Sequence, residues 1–116
     1  MIYRHFNEIP FEGVSHNPEI RKKVLIRHGE LPGLTGFSQA VFSCGQKADA
    51  HSHDNMYELF FVECGTGVIQ VDGADYPVSA GAVIVVAPGE EHEIRNTGDR
   101  PLVITYLGIP ASGSQI

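Results

Sequence analysis

Short apolar segments separated by turn residues constrain the fold of this chain more than any other feature. The clearest pair is residues 67–71 and 74–78, which flank the dipeptide Asp72-Gly73. Asp-Gly readily adopts the two positive φ angles of a type I′ turn, so this stretch predicts a β-hairpin. No segment has the apolar period of an amphipathic helix. The sequence therefore predicts an all-β fold, either a sandwich or a barrel.

Similar strand signals run along the chain, and residues 1–116 are predicted to form one domain. A length of 116 residues suits a single domain, whose barrel core we place at about residues 20–110. Residues 1–20 contain two prolines and predict an N-terminal edge strand followed by irregular structure. Residues 82–86 predict a strand buried on both faces, and residues 108–116 are expected to fray. The other predicted strands are residues 21–27, 35–42, 59–62, 92–96 and 102–107.

One segment contains a cluster of residues that can bind a metal. His51 and His53 are separated by one residue, which places both side chains on the same face of an extended backbone. Glu58 follows a short polar segment and begins an apolar run. Imidazole and carboxylate groups together suit a first-row transition metal. His92 offers a fourth donor, so the sequence predicts a metal site made of these four residues.

The spacing of this segment, residues 45–65, resembles the first sequence signature of the cupins, and residues 81–96 resemble the second. Pro88 directly precedes Gly89, whereas the usual pattern leaves one residue between them; this is expected to alter a turn and to leave the ligands unchanged. The resemblance to small, single-domain cupins of the conserved-barrel type implies a jelly-roll barrel, also called a double-stranded β-helix, with the ligands inside it. The residues that carry the resemblance are Gly45, His51, His53, Glu58, Gly65, Gly81, Gly89, His92 and Asn96.

The ligand set leaves the metal and the reaction open. Three nitrogens and one oxygen accommodate Fe, Mn, Co, Ni, Cu or Zn. On an octahedral ion such a shell leaves two positions for water, substrate or dioxygen. The resemblance implies similar ligands in dioxygenases, isomerases and lyases, and also in cupins with no known reaction. We therefore expect either a metal-dependent enzyme acting on a small polar molecule, or a non-catalytic module that binds or senses one.

Strand alternation predicts which side chains line the pocket. Phe60 lies two residues after Glu58 and is expected to face inward with it. Gln39 and Tyr106 are candidates for hydrogen bonds to a substrate, with exposure on the outer face as the alternative for each. Asn96 is expected to support a turn. The remaining loop groups are expected to face water: His5, His16, His28, Glu90 and Glu91.

Charge and cysteine content limit the partners and the location. The formal net charge of −6 argues against nucleic acid or an anionic membrane as the main partner, because both favour a basic surface. The longest aliphatic run, residues 82–87, is too short to cross a bilayer, and the N-terminus lacks the apolar stretch of a signal peptide. Cys44 and Cys64 are expected to be reduced thiols packed as small hydrophobic residues. These features predict a cytoplasmic protein, and the resemblance to small cupins implies a homodimer.

Overall fold

Ten β-strands form two antiparallel sheets in the computed structural model, which describes residues 1–111. The all-β prediction is confirmed, and the two facing sheets form a jelly-roll barrel. The larger sheet has the order β1 (Glu12–Val14), β2 (Asn17–Ile26), β3 (Gly36–Phe42), β10 (Leu102–Pro110), β5 (Met56–Cys64) and β8 (Val83–Val86). The smaller sheet has the order β4 (Lys47–His51), β9 (His92–Asn96), β6 (Thr66–Val71) and β7 (Ala74–Ser79).

The predicted hairpin is strands β6 and β7. Val71 pairs with Ala74 across the turn, and Asp72 and Gly73 have φ angles of 48° and 83°. Both values are positive, as a type I′ turn requires, so the local dipeptide sets the register of this pair.

Alternation along the strands places one face of each sheet in a shared core. On β5, for example, Phe60 and Val62 are buried whereas Phe61 is exposed. Burying apolar side chains from both sheets supplies the main stabilisation, roughly 25 cal/mol for each Å² removed from water. The buried apolar residues are Ile20, Ala40, Phe42, Ala48, Phe60, Val62, Ile69, Val78, Val86, Ile94, Leu102 and Ile104.

Strand β8 corrects the expectation that residues 82–86 are buried on both faces. It lies at the edge of the larger sheet, and within residues 1–111 its one partner is β5. Val83 and Val85 are therefore 70% and 56% exposed, whereas Val86 is buried. An apolar β-branched run indicates a strand, but the number of covered faces depends on where the topology puts it.

The N-terminal segment also differs from the expected order. Irregular structure with a short 3-10 helix (Phe6–Glu8) comes first, the edge strand β1 follows it, and β2 already begins at Asn17. Within residues 1–111, no helix has the length and hydropathy needed to span a membrane. At the other end β10 continues to Pro110, and residues 112–116, the rest of the end expected to fray, lie outside the described residues.

The cysteines lie at strand ends rather than in the core. Cys64 is the last residue of β5, and Cys44 follows β3 in a turn. Both side chains are free thiols and exposed, so the expectation of hydrophobic packing is wrong. The ends of the strands lie at the barrel surface, so a small side chain there remains in contact with water.

Asn96 joins three parts of the backbone and is expected to matter for stability. Its side-chain NH₂ donates to the carbonyls of Phe42 (3.0 Å) and Arg100 (2.8 Å), and its side-chain oxygen accepts from the backbone N–H of Gly98 (2.9 Å). We expect Asn96→Ala to lower the free energy of unfolding by about 2–4 kcal/mol, because buried backbone groups lose their partners. Urea denaturation measures this. Asn55→Ala, at an exposed turn, is the control, and an equal effect in both variants would contradict the structural role.

Candidate metal centre

Four side chains from three strands and one loop converge inside the barrel. His51 ends β4, Glu58 lies on β5, His92 begins β9, and His53 follows β4 in the loop. One nitrogen or oxygen atom from each residue lies within 4.8 Å of those of the others. These four residues therefore form a group suited to a divalent metal.

The two sheets bring these residues together. His51 and His92 are directly opposite each other on neighbouring strands, and their ring centroids are 4.3 Å apart. Glu58 faces them from the larger sheet, because alternation on β5 points it inward together with Phe60. The backbone N–H of Gly89 donates to the backbone carbonyl of His53 at 2.7 Å, and this hydrogen bond holds the loop that carries His53.

The Glu58 carboxylate is the centre of the cluster. Its Oε1 lies 3.2 Å from His53 Nε2 and 3.0 Å from His92 Nε2. Two ligands at right angles on a metal, with bonds of about 2.1 Å, would be about 3.0 Å apart, against about 3.4 Å for tetrahedral neighbours. Both observed separations are of the size expected for neighbouring ligands of one metal ion.

Backbone carbonyls orient two of the imidazoles. His51 Nδ1 lies 2.9 Å from the carbonyl oxygen of Asp49, and His92 Nδ1 lies 3.1 Å from that of Glu90. A carbonyl only accepts, so each Nδ1 carries a hydrogen and each neutral ring has its lone pair on Nε2. In His92 that lone pair faces the Glu58 carboxylate. Two acceptors at 3.0 Å repel unless a proton or a cation lies between them.

The pKa shifts follow from this geometry. Burial lowers the pKa of His51 and favours its neutral, ligating form. Burial also acts to lower the pKa of His92, but hydrogen bonds to Glu58 and to the Glu90 carbonyl outweigh it and raise the pKa. For Glu58, burial acts to raise the pKa, and the hydrogen bond with His92 and the nearby histidines outweigh it, so the pKa is lowered.

Metal affinity is therefore expected to fall as the pH falls. The raised pKa of His92 means that it retains a proton next to Glu58, and a metal must displace this proton in order to bind. We expect affinity to decrease by up to about tenfold per pH unit below the His92 pKa. Competition with a chromogenic chelator between pH 8 and pH 5 measures the slope. An affinity that stays constant across this range would contradict the assignment of His92 as a ligand.

The cluster opens into a cavity of about 300 Å³ with largely apolar walls. Phe60 and Tyr106, both predicted for the pocket, line it, and their rings stack at 5.8 Å. Gln39 takes the alternative of the two positions considered for it. It lies on the outer face of β3, where its amide donates to Thr105 Oγ1 at 3.2 Å, because the inward face of this strand carries Ser38, Ala40 and Phe42. The lining residues are Val14, Ser15, His16, Lys22, Thr35, Gly36, Ala40, Phe42, Ala48, His51, His53, Met56, Glu58, Phe60, His92, Ile94, Ile104, Tyr106 and Gly108.

Tyr106 is a hydrogen-bond donor in this cavity. Burial raises its pKa to about 12, although a hydrogen bond with Ser38 acts in the opposite direction. The phenol therefore remains protonated at neutral pH and can donate to a ligand oxygen.

Two titratable cavity residues were not predicted from the sequence. The ring of His16, expected to be solvated, stacks on that of His51 with a centroid distance of 3.7 Å and an interplanar angle of 16°. Lys22 also lines the cavity. Both belong to the β1–β2 hairpin, and no spacing rule connects a distant hairpin to the metal ligands. Glu90 was expected to face water, but its carboxylate accepts from the backbone N–H of Ala87 at 2.7 Å and supports the turn before His92.

Comparisons with known proteins agree with this fold. The "Oxalate-binding protein" of Thermotoga maritima is 33% identical to this chain over 66 residues. The match covers 57% of this chain and 54% of the relative. The chain thus spans little more than half the length of the curated relatives it matches. The crystal structure of a predicted oxalate decarboxylase from Thermotoga maritima superposes with a TM-score of 0.83 at 25% identity, covering 94% of this chain and 99% of the other. A Cupin 2 conserved barrel domain protein from Salinispora arenicola has a TM-score of 0.74 at 22% identity, covering 96% and 90%. The Cupin domain family profile matches residues 40–108, and the chain belongs to this family.

Proposed function

We propose that this protein binds a divalent transition metal (Fe, Mn, Ni, Co, Cu or Zn) and holds a small oxygen-bearing acid against it in the barrel cavity. The four proposed ligands are His51, His53, Glu58 and His92. The observation that carries the proposal is the convergence of their donor atoms in a cavity whose other walls are largely apolar. Small-molecule sites commonly combine apolar walls with a few convergent polar groups.

The surrounding residues define what the site can hold. A bound metal would supply Lewis acidity and coordination positions for ligand oxygens. Phe60 and Ile104 supply apolar wall, and the protonated Tyr106 phenol can donate a hydrogen bond to a ligand oxygen. A volume of about 300 Å³ accommodates a molecule of a few heavy atoms together with the ion.

The chemical class that we propose for the ligand is a small dicarboxylate such as oxalate. Adjacent carboxylate oxygens chelate a metal at neighbouring coordination positions. Two matches from Thermotoga maritima support this class by name: the sequence match is called an oxalate-binding protein, and the matching crystal structure is called that of a predicted oxalate decarboxylase.

The bound acid has two possible fates, and one experiment distinguishes them. In the enzyme form of the proposal the metal-bound acid is converted by an oxygenase, isomerase or lyase reaction. In the alternative form the protein stores or senses the acid without converting it. The metal-loaded protein is incubated with oxalate while oxalate, carbon dioxide, formate and dissolved oxygen are followed over time; consumption supports an enzyme, and saturable binding without consumption supports a binding module.

Isothermal titration calorimetry tests the proposal itself. Elemental analysis of the purified protein first identifies the metal. We expect oxalate to bind the metal-loaded protein with one site and to lose this binding after the metal is removed with a chelator. Oxalate affinity that is unchanged in the metal-free protein would contradict the proposal.

We also propose that the protein forms a homodimer through strand β8. This strand leaves one edge of the larger sheet unpaired within residues 1–111, and Val83 and Val85 are exposed beside Phe61. Such an edge can pair with a second copy. Sedimentation equilibrium should give a dimer for the natural protein and a monomer for the double variant Val83→Lys, Val85→Lys. A monomeric natural protein would contradict this.

A cytoplasmic location is a further proposal. The two exposed free thiols, Cys44 and Cys64, support it, because thiols persist in reducing compartments. Fractionation of cells that express the protein tests the location, and recovery outside the cytoplasm would contradict it.

A further inference from the structure

Part of the cavity wall comes from the β1–β2 hairpin, outside the residues 40–108 that match the family profile. Val14, Ser15 and His16 lie at the turn of this hairpin, and Lys22 lies farther along β2. The ring of His16 is exposed and covers His51 at a centroid distance of 3.7 Å, so the turn reaches the metal cluster from outside. The hairpin thus contributes a wall that includes a positive charge.

The strand register explains why Lys22 faces the cavity. Lys22 is directly opposite Ala40 on β3 and Glu12 on β1. Opposed residues of an antiparallel pair share a face, and Ala40 is buried in the barrel, so Lys22 extends from the inward face. Lys23 has the opposite orientation, and its Nζ donates to the carbonyl of Phe6 at 2.8 Å.

The ammonium group of Lys22 forms no salt bridge among residues 1–111, although the charge of Glu12 on the neighbouring strand attracts it. The salt bridges of this region do not include it. Its cross-strand neighbour Glu12 pairs instead with Arg27, with an N–O distance of 2.6 Å. The half-buried ammonium therefore lacks a close ion pair, and an anion in the cavity would interact with it favourably.

The charges of the site match a dianion. With a divalent metal bound, the metal, three neutral imidazoles, the Glu58 carboxylate and the Lys22 ammonium would together sum to two positive charges in the cavity. The protein as a whole carries a formal charge of −6, so the cavity differs in sign from the rest of the molecule. A ligand with one negative charge would neutralise only half of this local excess.

We propose that Lys22 is the specificity-determining residue of the site, and that it selects dicarboxylates over ligands with a single carboxylate. This rests on the proposed function, because it assumes that the ligand binds at the metal and that its second carboxylate keeps a free oxygen. The ammonium of Lys22 then donates a charge-assisted hydrogen bond to the second carboxylate.

Oxalate and oxamate form a matched pair of probes, because oxamate replaces one carboxylate of oxalate by an amide of nearly the same shape. Calorimetry of the metal-loaded protein compares the natural sequence with Lys22→Met, Lys22→Arg and Lys47→Met. Lys47 is an exposed lysine that does not line the cavity, so Lys47→Met gives the same change in net charge elsewhere. Metal affinity and thermal unfolding are measured for each variant.

We expect Lys22→Met to weaken oxalate binding by at least about tenfold and oxamate binding by less than about threefold. Lys22→Arg should retain the preference for oxalate, and Lys47→Met should resemble the natural protein. Metal affinity should be unchanged in all variants. Unchanged metal-dependent oxalate binding in Lys22→Met would overturn the role of Lys22 and leave the proposed function intact. Absence of metal-dependent oxalate binding in the natural protein would overturn both.

Discussion

His53→Ala is expected to lower the affinity of the protein for a divalent transition metal by at least about hundredfold. Loss of residues that only support a ligand already costs about 10–100-fold, and loss of a ligand itself should cost more. His53 Nε2 lies 3.2 Å from Glu58 Oε1, within the cluster, and its side chain is 28% exposed. Because it lies in a loop at the cavity, its truncation should leave the core packing unchanged.

His28→Ala is the matched control, since His28 is an exposed loop histidine that does not line the cavity. Chelator competition with each purified variant gives the metal affinity, and thermal unfolding with and without metal gives a second measurement. The natural protein and His28→Ala should gain stability when the metal is added, and His53→Ala should gain little. If His53→Ala bound the metal as tightly as His28→Ala, the proposed metal centre would be wrong.

Gly65→Ala is expected to reduce the free energy of unfolding by about 3–5 kcal/mol, a large share of the stability of an ordinary domain. Gly65 joins β5 in one sheet to β6 in the other and has a φ of +90°, where an alanine is strained. A Cβ there would also collide with the carbonyl oxygen of Pro101 and lie 2.8 Å from the Cα of Leu102. Both obstacles are backbone atoms, so no side-chain rotation relieves the contact.

Gly81→Ala separates the two causes. Gly81 has a similar φ of +93°, but an added Cβ would have no neighbour within 4 Å. We expect a loss of only about 1–2 kcal/mol there, from backbone strain alone. Urea denaturation gives the loss in free energy of unfolding for each variant. The difference between the two losses measures the cost of the contact between the added Cβ and residues 101–102. Equal losses would mean that the approach of residues 101–102 does not restrict Gly65.

Local patterns predicted much of the fold. Asp72-Gly73 predicted the β6–β7 turn because its conformational preference is a property of two residues. The inward position of Phe60 followed from that of Glu58, since side chains alternate along any strand. The exposure of Val83 and Val85 was missed, because an edge strand and a central strand have the same local composition.

The same distinction applies to the site. The motif spacings identified His51, His53, Glu58 and His92 as a group, and the structure brings these four together. The spacings could not find the backbone carbonyls that orient two of the rings, because every residue has a carbonyl and only the folded geometry aims it.

The sequence by itself determined the strand content, the principal turn and the four side chains of the metal cluster, because these depend on residue type and on separations along the chain. Only the tertiary structure decided that His16 and Lys22 join the same cavity and that Gln39 faces away from it. The reason is physical: the order and register of strands in a sheet are set by the whole core, and a shift of one residue turns each side chain to the opposite face.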